Sequence, residues 1–220
     1  MRLVDAGKNA PRKLLRAGLG AGPLFIAVFT VDGATRAGYL PARHPVSSLA
    51  LGSRGWVQTT NFAVTGVLYL AGAAGLSRTT DPAMSRRVGP AMVGAAAVGL
   101  VASAAFNTDP VSGYPPGTAD TPTERTTVGT LHDLASIPTF LGVPIAATVY
   151  GLRFARSGRP GWAVYSASTA ASMLAAVGMA AAGFSQAPRR VDTAGRWQRL
   201  CIATGFTWLT ALIGRALHHP

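Results

Sequence analysis

Six stretches of roughly twenty residues run with few charges or none, and a hydrocarbon core about 30 Å thick asks for about 20 apolar residues per helical crossing. The stretches lie at about residues 14–33, 56–76, 88–106, 131–152, 162–184 and 197–217. Inside lipid every backbone N–H and C=O must find a partner within the protein, so a spanning segment is a helix or a barrel strand. A tilted strand crosses with about 9–11 residues, so segments twice that long are helices. The predicted fold is all-α: a polytopic transmembrane bundle of six helices over residues 14–217, behind a basic N-tail at residues 1–13.

Composition supports this reading. Only 13% of the residues are charged, about half the share of roughly 25% usual in soluble domains. The net charge of +12 raises the question of nucleic acid. Here the arginines sit between apolar runs, and no basic stripe is interleaved with exposed aromatics. They act as flanking charges that orient helices. Membrane lipid, not nucleic acid, is the expected partner, and the sequence leaves the oligomeric state open. The single cysteine, Cys201, lies in an apolar run and reads as a small packing residue.

Orientation follows from the arginines and lysines. Six crossings put both termini on one side. That side collects Arg2, Lys8, Arg12, Lys13 and Arg16, then the short turns with Arg78, Arg86 and Arg87 and with Arg153, Arg156 and Arg159, and finally Arg215. The opposite side collects fewer. The excess places both termini in the cytoplasm of a bacterial cell, in the inner membrane. A high Arg-to-Lys ratio suggests a GC-rich source genome.

Individual residues refine the picture. Gly18 and Gly22 share a helix face and permit close contact, and Pro23 is expected to kink the first helix. Asp32 is either a relay residue or an interfacial acid paired with Arg36, four positions on; the pair is the favoured reading. Pro45 to Leu51 is too short to span and is expected to lie in the interface or re-enter the protein. Thr130 and Asp133 resemble a capping box for the fourth helix. Pro138 and Pro144 are expected to interrupt that helix and to make it face protein.

The polar run from Phe106 to Ser136 separates two apolar segments and holds four of the eight acids: Asp109, Asp120, Glu124 and Asp133. Loops of this length are often functional. With it, the topology brings His44, Ser47, Ser48, Gln58, Asn61, Asp109, His132 and Asp133 to the outer face. His218 and His219 fall on the inner face.

Several motifs carry a resemblance. They are GPLF at Gly22 to Phe25, RHPVSSLALGSRGWVQTTNF at Arg43 to Phe62, FNTDPVSGYPPGT at Phe106 to Thr118, and LHDLAS at Leu131 to Ser136. Together they resemble the domain-of-unknown-function family 998, a bacterial group of six-helix membrane proteins. The resemblance implies architecture and brings no catalytic role.

The outer-face residues admit three functions. One is an outward-facing pocket for a lipid-like or small amphiphilic ligand, with the paired prolines of helix four lining a cavity. The second is a metal-dependent hydrolase, with His44, His132 and Asp109 as zinc candidates or Ser47 or Ser48 as a nucleophile beside a histidine. It has a distant similarity to the ceramidase and adiponectin-receptor type hydrolases. This chain departs from them in having two outer histidines and one helix fewer. The third is a purely structural subunit, in which Asp133 caps helix four, Asp109 makes a turn and His44 is a loop residue.

Overall fold

Pro23 has no N–H, so the carbonyl four residues earlier loses its helical partner. The computed structural model, which describes residues 2–79, 81–85, 87–121 and 124–218, breaks the first crossing close to that point. Helix α1 (Arg2–Leu19) ends and α2 (Ala21–Ala34) begins around Gly20. Pro23 thereby becomes the third residue of α2, where a helix has no intrahelical bond to lose. The chain is helical from Arg2, so the basic segment expected as a tail continues into the first crossing. Arg86 and His219, both assigned above to the cytoplasmic side, lie outside the described residues.

The remaining helices are α3 (Gly55–Leu76), the single turn α4 (Pro82–Ser85), α5 (Val88–Ala105), α6 (Thr127–Arg156), α7 (Pro160–Phe184) and α8 (Ala194–His218). Among the described residues six helical segments are long and apolar enough to cross a membrane, and no strand occurs beyond one isolated bridge between Val111 and Tyr114. The all-α, six-span fold read from the sequence is the fold observed.

The spans form a ring in chain order. α1 and α2 pack on α3, α3 on α5, α5 on α6, α6 on α7, α7 on α8, and α8 closes back on α1 and α2. Small residues set the spacing. A Cβ on Gly18 would stand 2.6 Å from the Gly72 Cα, so these two glycines let α1 and α3 touch backbone to backbone. At Gly99 it would stand 2.8 Å from the Ala135 carbonyl and from the Thr139 hydroxyl of α6.

α6 is not interrupted by its prolines. Pro138 and Pro144 both lie inside one continuous helix, which also starts about one turn before the expected residue 131. Each proline removes one backbone bond, and close packing on α5 holds the rest: Thr139 Oγ1 donates to the Ala96 carbonyl at 3.0 Å. The expected Thr130–Asp133 capping box does not form either. Thr126 is the N-cap, and its hydroxyl accepts from Gly129 N–H at 2.9 Å.

At the end of the ring opposite the termini, residues 46–50 form a 3-10 turn with Val46, Ser48, Leu49 and Ala50 buried. The segment re-enters the protein and packs on α2, α3 and α8. Arg36 holds it there, donating to the carbonyls of Leu49 (2.8 Å), Leu51 (3.0 Å) and Arg54 (2.7 Å). Asp32 pairs with that arginine at 2.9 Å, as read from the spacing. The pair is not interfacial: side-chain exposure is 7% for Arg36 and 3% for Asp32.

Candidate functional site

The ring encloses a cavity of about 540 Å³ at the same end. Its inner walls are aromatic and aliphatic: Phe25 from α2, Phe62 from α3, Leu100 from α5, and Ile202 and Phe206 from α8. Phe25 packs at a tilt against Phe62 and Phe206, at 5.6 and 5.3 Å between ring centres, which fixes the floor. Ile137 and Leu141 of α6 and Val177 of α7 also line it. Ile137 and Leu141 are close to half exposed, so the space is open on the side that they line.

The eight residues singled out from the sequence divide into two groups. Ser47, Asp109, His132 and Asp133 line the cavity. His44, Ser48, Gln58 and Asn61 are buried but stand outside its lining.

Most of them have a partner within the protein. His44 staples two loops together. Its Nδ1 accepts from Leu40 N–H at 2.9 Å, and its Nε2 donates to the Ser112 carbonyl at 3.1 Å. Its ring lies against Tyr39 and Tyr114. Asp109 accepts from both the Thr126 N–H (2.9 Å) and the Thr126 hydroxyl (2.7 Å), so it secures the start of α6 in addition to preceding Pro110. Asp133 does not cap. It is exposed at the cavity mouth, 3.9 Å from Arg125. Gln58 Oε1 accepts from Asn61 Nδ2, which also donates to the Phe25 carbonyl. Ser48 Oγ is buried without a partner. His132 Nδ1 donates to the Phe106 carbonyl at 2.7 Å, and the edge of Phe62 packs on its ring.

The proposed metal ligands do not make a set. Both His44 nitrogens and both Asp109 oxygens are already bonded within the protein. Among the described residues no three His, Cys, Asp or Glu side chains gather at one point.

Burial holds the His44 imidazole below the ordinary histidine range, with Arg43 and Arg199 adding to the effect; the bond to Ser112 and the charge of Asp120 oppose it. A histidine whose folded pKa is lowered is protonated more readily when unfolded. As pH falls through about 6.5 the unfolded chain takes up the proton first, and stability drops until the folded pKa is passed. Thermal unfolding at about pH 7.5 and about pH 5 checks this. The wild type should lose more on acidification than His44→Asn, and an equal loss in both would count against it.

Three lining residues escaped the sequence reading. Ser103 is a lone hydroxyl in an apolar run, four residues after Gly99 and therefore on the same face of α5. Gln198 sits in the first turn of α8, where its Oε1 accepts from Val46 N–H at 2.7 Å. Thr139 lies between the two prolines. For Ser103 the Gly99 spacing was the available signal.

A family model described as "Protein of unknown function (DUF998)" matches residues 19–215. No curated protein and no solved structure matches the chain.

Proposed function

The chain belongs to the DUF998 family, and from that premise we propose that it is a multi-pass membrane protein that holds a lipid-like or small amphiphilic ligand in its ring cavity. One observation carries the reading: a space of about 540 Å³ joins an aromatic interior to an open side lined by Ile137 and Leu141, with polar groups at one end. That volume falls within the roughly 300–1,000 Å³ of small-molecule sites. An apolar tail would lie against Phe25, Phe62 and Phe206, and a polar head would lie near Arg125, His132 and Asp133. An opening beside Ile137 and Leu141 would be an entry from the bilayer that spares the tail a passage through water.

The cavity mouth faces away from the cytoplasm in this reading. Support comes from the excess of arginines and lysines on the terminal side and from the short basic turns there. Cysteine placed at Asp120, which is exposed, should be labelled by an impermeant reagent added outside intact cells; labelling only after lysis would reverse the orientation.

Ala180 is buried in α7 and lines the cavity. Ala180→Trp should fill the space. Native mass spectrometry of protein extracted from membranes should show a co-purifying amphiphile on the wild type and its loss from the variant. Equal recovery from both would remove the cavity as the binding place, and a ligand-free wild type would favour a structural subunit.

A further inference from the structure

Two polar side chains toward the mouth of the cavity have unused bonding capacity. His132 is 3% exposed and Ser103 is 5% exposed, and both line the space. A carbonyl oxygen can only accept, so the bond to Phe106 puts the His132 proton on Nδ1. Nε2 of the neutral ring is then an acceptor. It has no partner among the described residues, and neither has the Ser103 hydroxyl. Thr139 cannot serve, because its proton goes to Ala96, and Phe62 offers only a ring edge.

The packing brings the two together. α5 and α6 run antiparallel, and Gly99 lies against Ala135 and Thr139. Ser103 is one turn further along α5, and His132 is about one turn back along α6, so both occupy the next layer toward the mouth. Both residues line the cavity and neither atom is sealed within the protein, so a group bound there can use the free acceptor and the free hydroxyl together.

We propose that Ser103 and His132 form a subsite for a neutral hydroxyl group on the bound amphiphile. The ligand O–H donates to His132 Nε2, and the ligand oxygen accepts from Ser103 Oγ–H. The ligand class is a long-chain alcohol or another uncharged hydroxyl-bearing lipid. A carboxylate, an ether and an ester each lack the proton that Nε2 needs. The subsite rests on the cavity reading above.

Equilibrium binding of radiolabelled hexadecanol and of its methyl ether, to protein in phosphatidylcholine nanodiscs, separates the two. The wild type should prefer the alcohol by about fivefold to tenfold, the worth of one hydrogen bond. His132→Phe should bring the ratio close to one while the ether still binds. Ser103→Ala should weaken both probes by a similar factor and keep the ratio, since alcohol and ether both accept from Ser103. Equal affinity for the two probes in the wild type would overturn the subsite and leave the cavity reading standing. Absence of binding by either probe would sink both. If His132→Phe does not fold, Ser103→Ala decides: unchanged affinity for both probes refutes the subsite.

Discussion

Asp32→Ala is expected to lower the unfolding midpoint by on the order of 10 °C. The carboxylate is buried and stands between two guanidinium groups, Arg36 at 2.9 Å and Arg54 at 2.7 Å. Arg54 is about half exposed, so its share is screened and small. Arg36 is not. Without Asp32 its charge stays buried with only backbone carbonyls and the Tyr114 hydroxyl around it. Removing one partner of a buried pair costs about 3–5 kcal/mol. The loss should spread, because the same guanidinium holds the 46–50 turn in place. Asp192 gives the contrast: it pairs with Arg43 but is 75% exposed, so Asp192→Ala should cost less than about 1 kcal/mol. Differential scanning fluorimetry in nanodiscs checks both. A drop of similar size in the two variants would mean that burial of the Asp32 pair is not what stabilises this end.

Gly195→Ala should destabilise the protein by about 1–3 kcal/mol, a large effect for one methyl group. Gly195 opens α8 beneath the 41–44 loop. A Cβ there would collide with the carbonyl oxygens of Pro41 and His44, the latter at 2.6 Å. These are backbone atoms and cannot swing aside. They are also held in place, since Arg196 N–H donates to the Ala42 carbonyl and the Arg199 guanidinium donates to Pro41, His44 and Gly195. Gly178→Ala is the matched control. It lies in α7 with nothing within 4 Å of the added atom, and an exposed helical alanine is favoured over glycine by up to about 1 kcal/mol. Opposite signs in the two variants are the expected result. Equal, small shifts would show that the loop yields.

Much of the architecture could be read in advance because it depends on composition over long windows. The six crossings and the Asp32–Arg36 pair follow from length, spacing or charge, and length alone told that the 46–50 segment does not span, leaving its inward course to the fold. What failed was local and depended on tertiary partners. The cap of α6 fell to Thr126 and not Thr130, because Asp109 arrives from across the loop to hold it. The prolines of α6 do not break it, because α5 supports the turns on either side. The outer histidines looked alike in sequence. Only the fold reveals that His44 has both nitrogens occupied whereas His132 keeps one for the cavity. Ser103 was hidden for a related reason: apart from its spacing from Gly99, a single hydroxyl among apolar residues gives little signal until the helix opposite is known.

The neighbouring helices α5 and α6 differ in length, with 18 and 30 residues. At about 1.5 Å per residue they measure about 27 and 45 Å. A bilayer roughly 30 Å thick matches the first and is overshot by the second. The long helix must lean or protrude, while the short one leaves no slack if the membrane thickens. Sterol-like or long-chain lipids would therefore strain the α5 side first, and thin regions of membrane would relieve it. The membrane thickness that suits this protein is thus set partly by the shortness of a single glycine- and alanine-rich helix.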